Sequence, residues 1–408
     1  MSGTTEVIGE RKLLALVGAV QFVNVLDFMM VMPLGPDFAK ALGVPSSELG
    51  LVGGVYTAAA AVSGLIGALF LDRFDRRKAL ACALFGLMAG TALGGFAVDL
   101  PTLLLARVAA GVFGGPATAL SLAIVADGVP PERRGRAMGT IMSAFSVASI
   151  LGVPAGLALA ELGGWRAPFF AVAALGAVVG VVALIAMPPF TGHLVRAEAR
   201  EPEGAGVGFG FLVRGPVLLA LCAVTVAMMG SFSMIPNMSA YFQGNLAYPR
   251  ERLGLLYMLG GGCTLVTMRV AGLLTDRIGP AATATLGNLA FALVLYVGFI
   301  EAHHALPPML LFVGFMTTSS FRMVPMQALS SRVPHERERA RFMSASSAVQ
   351  HLASASGAML SSRMLGADPS GKLVGMERVA LLALVLVLLL PVILYRLQTR
   401  VAGNTQAR

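Results

Sequence analysis

Leu49–Leu71 reads LGLVGGVYTAAAAVSGLIGALFL, Asp72–Lys78 reads DRFDRRK, and Ala79–Val98 reads ALACALFGLMAGTALGGFAV. Two charge-free runs flank a loop in which every residue but Phe74 is charged. Each run is long enough for a bilayer core, which takes about 20 apolar helical residues. Lipid cannot hydrogen-bond a bare backbone, so such a run is a helix or a strand of a closed barrel. Barrel strands are about ten residues long and alternate polar with apolar. These runs are longer and uniformly apolar, which selects helices.

Working outward, Leu13–Leu34, Thr102–Ala126, Ala137–Ala160, Ala167–Pro188, Pro216–Pro236, Leu253–Leu274, Ile278–Ile300, Leu306–Ser331, Phe342–Leu365 and Val379–Tyr395 have the same character, some with isolated charges. Together with the first two they make twelve expected spans. The first run holds Asp27 and no small-residue cleavage site follows it, so it reads as a span and not as a cleaved signal. The 408 residues are 56% apolar and 12% charged, with a net charge of +9. That charge share is about half of what a soluble globular chain carries. Disordered, collagen-like and disulfide-stapled classes are excluded with it.

Cys82, Cys222 and Cys263 stand singly and read as small core residues, with no metal-binding spacing. The basic excess sits in short loops and forms no stripe or tail, which argues against nucleic acid and for orientation in a membrane. With the N-terminus inside, 20 Lys and Arg fall on the inner side and 7 on the outer. Both termini are therefore expected in the cytoplasm of a multi-pass protein of the cell membrane.

The chain repeats itself. Asp72-Arg73 recurs as Asp276-Arg277, and Val129-Pro130-x-Glu132-Arg133 recurs as Val333-Pro334-x-Glu336-Arg337, both offset by 204, half of 408. Pro116-x-x-Ala119-Leu120-Ser121 recurs as Pro325-x-x-Ala328-Leu329-Ser330 at an offset of 209. The expectation is an all-α membrane protein of twelve helices, two parallel six-helix repeats around a central cavity. An N-terminal bundle (1–190) and a C-terminal bundle (214–408) flank a Gly-rich, charged cytoplasmic linker (191–213). Parallel repeats of this kind can rock about a shared site.

With these features the sequence resembles the major facilitator superfamily, in particular its twelve-span drug/proton antiporter-like branch. Ala68-Leu69-Phe70-Leu71-Asp72-Arg73-Phe74-Asp75-Arg76-Arg77-Lys78 is similar to the family's G-x-x-x-D-R-x-G-R-R/K loop, with Ala68 and Asp75 in place of two glycines. Gly272-Leu273-Leu274-Thr275-Asp276-Arg277-Ile278-Gly279 restores both. Arg107-x-x-x-Gly111-x-x-Gly114-Gly115 is similar to the family's span-4 motif, and Gly152-Val153-Pro154-Ala155-Gly156 partly matches its antiporter motif. The resemblance implies a latch on the cytoplasmic side that includes Asp72, Arg73, Arg76 and Asp127, with Asp276 and Arg277 at the repeated position. The alternative for these residues is a plain basic loop. It also implies that spans 1, 4, 7 and 10 line the cavity.

Of the acidic residues only Asp27 lies well inside a span. A buried carboxylate costs at least about 2.5–3.5 kcal/mol on insertion scales, so it should face a cavity or a partner. Asp27 and Arg107 both fall roughly 9–11 Å below the outer ends of their helices at 1.5 Å per residue, which makes Arg107 the expected partner. The pair reads as a proton-coupling or substrate site, or as a fixed brace between spans 1 and 4. Asn24 and Gln21 lie on the same helical side as Asp27 and offer hydrogen bonds to substrate or to neighbouring helices. Arg322, in span 10, is a second candidate for substrate or anion contact. His351 has the chemistry of a proton relay or of a packing residue, and Arg269 reads as structural.

The expected function is proton-coupled efflux of a small hydrophobic or amphipathic molecule by alternating access. An uncoupled facilitator, a sugar or lipid exporter, and a receptor or scaffold are the alternatives. No nucleotide-binding loop, catalytic triad, metal cluster or cofactor motif occurs in the sequence. The chain is expected to act as a monomer, with small-molecule substrate, protons and the lipid bilayer as its partners, without enzymatic activity and without a cofactor.

Overall fold

The computed structural model describes residues 9–191, 194, 209–301, 306–334 and 339–406. Most of the expected linker lies outside the described residues. The long helices are α1 (Glu10–Val31), α2 (Leu49–Phe70), α3 (Arg76–Gly95), α4 (Leu100–Gly128), α5 (Arg136–Gly163), α6 (Ala167–Ala186), α7 (Gly215–Asn245), α8 (Leu253–Ile278), α9 (Pro280–Glu301), α10 (Pro308–Ser330), α11 (Arg339–Met364) and α12 (Met376–Gln406).

Among the described residues, eleven helices are long and apolar enough to cross a membrane. Twelve were expected from the sequence. The helix that falls short is α11, whose 26 residues suffice in length. Its face is diluted by serines, and several hydroxyls, such as Ser354 to Gln350 O (2.8 Å) and Ser361 to Ala358 O (2.8 Å), bond back to the helix's own carbonyls. The all-α expectation has one small exception. Gly366–Ala367 pairs antiparallel with Leu373–Val374 between α11 and α12. The three cysteines are exposed, against the expectation of core positions; on a chain this apolar, a small thiol serves an outward face as well as a core.

Helix ends follow local chemistry. Asp99 caps α4 by accepting from Thr102 N at 2.9 Å, while Thr102 Oγ1 accepts from Asp99 N at 3.2 Å. Asp75 caps α3 by accepting from Arg77 N (3.0 Å) and also accepts from Phe190 N (2.9 Å), which ties the loop to the end of α6. At the repeated position, Gly279 separates α8 from α9 with φ +87°, a conformation open to glycine. The two halves thus solve one corner differently, by a carboxylate cap and by a left-handed glycine. A π-helical turn over Ala148–Gly152 in α5 precedes Pro154, which has no N–H to give.

The chain forms two compact units. One is Met1–Leu34 with Val55–Ala205, the other Gly35–Gly54 with Gly206–Arg408. In the first, α3 packs on α4 and α6, and α1 packs on α6 and α4. Gly111 and Gly115 of α4 bring the α2 backbone close: a Cβ there would stand 2.4 Å from Tyr56 O and 2.3 Å from Ala60 O. In the second, α7 packs on α11 and α12, and α10 packs on α8 and α9. Gly35–Gly54, which belongs by sequence to the first bundle, packs with this second unit. There Arg250 holds Asp37 through two bonds of 2.7 Å, and Gly50 lies against Ala358 of α11.

Candidate functional site

Asp27 and Arg107 meet inside the first unit, both fully buried. Arg107 Nη1 donates to both carboxylate oxygens, at 3.0 and 3.1 Å. Thr91 of α3 adds a third bond, Oγ1 to Asp27 Oδ1 at 2.7 Å. The guanidinium carbon lies 4.5 Å from the centre of the Tyr56 ring. A desolvated cation over an aromatic face gains from the ring's negative quadrupole. The carboxylate thus brings α1, α3 and α4 together, and the arginine adds α2.

A second polar layer lies next to the pair. Tyr56 Oη donates to Asn24 Oδ1 at 3.0 Å, and Asn24 Nδ2 reaches Gly114 O at 3.1 Å and Thr118 Oγ1 at 2.7 Å. Gly114 has no room for more: a Cβ would fall 2.3 Å from Tyr56 Oη. Every polar atom of Asn24 therefore has a use within the unit. Gln21 is buried, but its Oε1 has no partner among the described residues.

In the second unit Arg322 is also fully buried. It donates to Ala227 O at 3.1 Å and to Ser231 Oγ, and it lies 4.5 Å from the centre of the Phe291 ring. Ser231 stands 204 residues after Asp27, the offset of the repeated loop motifs. Arg322 is not the repeat counterpart of Arg107, since it lies 215 residues after it, but it too reaches the first long helix of its half, which has a hydroxyl where the first unit has a carboxylate.

The other expected residues are scattered. His351 is half-buried on α11 and forms no hydrogen bond among the described residues. Arg269 is exposed. Of the expected latch, Arg76 Nη1 meets Asp127 Oδ2 at 2.6 Å and Ala123 O at 2.9 Å. Arg73, Asp276 and Arg277 are exposed, and the side chain of Asp72 lies outside the described set. Tyr56, Thr91, Thr118 and Ser231 were not singled out from sequence. One signal was available, since Tyr56 is the sole tyrosine of the first half, and a buried phenol needs a partner.

The sequence profile of the Major Facilitator Superfamily matches residues 17–358 and 220–407. The chain belongs to the major facilitator superfamily. The chain is similar to the chloramphenicol resistance protein of Streptomyces lividans, at 28% identity over 273 residues, 66% of this chain and 68% of the relative. The inner membrane transport protein YdhP of Escherichia coli is 28% identical over 248 residues, 60% of this chain and 62% of the relative. The superfamily fold is also seen in solved structures. A bacterial homologue of the human lysosomal transporter Spinster, inward-facing and unoccupied, has a TM-score of 0.72 at 16% identity, covering 98% of each chain. The inward-open xylose transporter XylE of E. coli has a TM-score of 0.73 at 15% identity, covering 94% of this chain and 96% of that one.

Proposed function

We propose that this superfamily member is a proton-coupled antiporter that exports a small hydrophobic or amphipathic molecule by alternating access. In this reading α11 completes twelve spans, both termini are cytoplasmic, and the chain works as a monomer. The observation that carries the proposal is the Asp27–Arg107 pair, fully buried between apolar helices. An intramembrane carboxylate is retained against its cost for a reason. A proton on Asp27 cancels the charge that Arg107 answers, and the guanidinium is left with the Tyr56 ring. The contacts between α1 and α4 then differ between the two protonation states. A ligand or proton shifts a conformational equilibrium only through such a difference. The kinship with YdhP, a transport protein by name, and with a chloramphenicol resistance protein supports export of a small organic molecule.

The Arg76–Asp127 pair supports a second element, a cytoplasmic latch present in one access state. The test uses Asp27→Asn in proteoliposomes under an imposed pH gradient. Asn keeps the acceptor for Thr91 and mimics the protonated group, a state the proposed cycle itself visits, so gradient-driven accumulation is lost in a variant whose folding is checked by its melting temperature. Undiminished gradient-driven transport by this variant overturns the proposal. A wild type insensitive to the gradient selects the uncoupled facilitator.

A second reading has its own support. Three bonds already satisfy Asp27, as they would in a fixed brace. A brace predicts that Asp27→Asn lowers stability and leaves coupling intact.

A further inference from the structure

Arg322 is the one large cation of the described second unit that is fully buried, and its environment lacks an anion. Its guanidinium reaches two neutral acceptors, Ala227 O and Ser231 Oγ. Nε and Nη1 are buried and have no hydrogen-bond partner. No carboxylate pairs with it among the described residues. The described acidic side chains of that unit lie at helix ends and in connections. A guanidinium does not neutralise itself by losing a proton under ordinary conditions. A buried charge left unpaired is costly, and buried donors without acceptors call for a missing partner.

The first unit offers a comparison. In the first unit the arginine of α4 meets the carboxylate of Asp27; in the second, the position 204 residues on is Ser231. The surroundings are otherwise suited to an anion. Ser319 lies one turn before Arg322 on α10, and its Oγ is 3.4 Å from Ser231 Oγ. One of the two hydroxyls donates to the other, which leaves one rotatable donor beside the two idle nitrogen positions. Ser319 is half-buried, as are Thr317, Thr318, Ser320 and Phe321 on the same stretch of α10. Phe291 and Phe315, with ring centres 5.1 Å apart, supply an apolar wall.

The geometry points to an anion site at Arg322, Ser231 and Ser319 that takes the carboxylate of an amphipathic cargo. The inference deepens the transport reading and rests on it for the word cargo; the binding itself needs no gradient. The planar guanidinium matches a carboxylate, and the aromatic wall takes an attached apolar tail. An inorganic anion shares the charge but makes no use of that wall.

The test is thermal unfolding of the purified full-length chain in neutral detergent with octanoate, octanamide or potassium chloride at equal concentration. The expected result is stabilisation by octanoate alone. Arg322→Gln weakens octanoate about tenfold or more, since charge-assisted bonds are lost, and Arg322→Lys weakens it less. Arg322→Gln could fail to fold, so Ser231→Asp serves as the second variant. It supplies an internal carboxylate, raises the melting temperature without ligand, and abolishes the octanoate increment. Proton coupling is read separately in proteoliposomes, so its failure leaves the octanoate result standing. Equal stabilisation by octanoate and octanamide, or an increment that survives Ser231→Asp, overturns the inference. Stabilisation by chloride alone assigns the site to an inorganic counter-ion and overturns it as well.

Discussion

Asp27 of α1 holds one nitrogen of Arg107 with both of its oxygens, at 3.0 and 3.1 Å, and neither side chain reaches solvent. In such a setting the two charges depend on each other. Truncating one leaves the other desolvated and unanswered, at a cost of about 3–5 kcal/mol. Removing both leaves no orphan charge. Asp27→Ala and Arg107→Ala are therefore each expected to destabilise strongly, and Asp27→Ala/Arg107→Ala to cost much less than the sum of the two. Unfolding of the four proteins in detergent measures the coupling. Additive single losses would show that the two residues act independently.

The membrane fold was legible because uniform apolarity over a bilayer's thickness leaves the backbone few options. The repeat at 204 exposed the duplication. The Asp27–Arg107 pairing was legible too, since equal depth brings the two charges to one level. Less could be read where side-chain direction decides. Thr91 and Tyr56 sit in apolar helices whose buried face has no periodic signature, so nothing marked them as neighbours of Asp27. Nor did composition reveal that Gly35–Gly54 packs with the second unit, because that rests on particular contacts such as the Asp37–Arg250 pair and the close approach of Gly50 and Gly54 to α11. α11 is a different case. Its serines satisfy themselves locally, which lowers apolarity without shortening the helix.

Gly114 is fixed by what stands opposite. A methyl there would collide with Tyr56 Oη at 2.3 Å and crowd Asn24 Oδ1 at 3.3 Å. Gly114→Ala should break the Tyr56–Asn24 bond and displace the ring from Arg107. A loss of about 1–3 kcal/mol is expected, the range for overpacking. Tyr56→Phe removes the colliding oxygen, so Gly114→Ala/Tyr56→Phe should be more stable than Gly114→Ala alone. Melting temperatures decide it, and a double variant no better than the single would mean that the strain lies elsewhere.

The Asp37–Arg250 pair is two-pronged and about three-quarters buried on each side, with side-chain exposures of 23% and 24%. It fastens Gly35–Gly54 within the second unit. Exposed pairs contribute about 0.2–1 kcal/mol, and the paired geometry favours the upper end. Asp37→Arg should detach the segment, and Asp37→Arg/Arg250→Asp should restore it. Limited proteolysis of this segment reads the attachment directly. Protection of Asp37→Arg equal to wild type would show that Gly50 against α11 suffices without the charges.

The start of α4 carries a pH dependence outside the spans. The side-chain hydrogen bond from Thr102, with the Thr102 N–H beside it, holds the Asp99 carboxyl below its ordinary value of 3.8. A carboxylate at a helix N-terminus is also favoured by the helix dipole. With the folded pKa depressed, its contribution is fully present above the unfolded value. It fades as pH falls through the folded one. Asp99→Asn keeps a hydrogen-bond acceptor but cannot titrate. The wild type should therefore be the more stable of the two at neutral pH. The gap should hold constant down to the ordinary carboxylate range and close in more acidic solution. Melting curves of both proteins across that range test the sign. A gap that widens on acidification would mean that the neutral acid is the better cap.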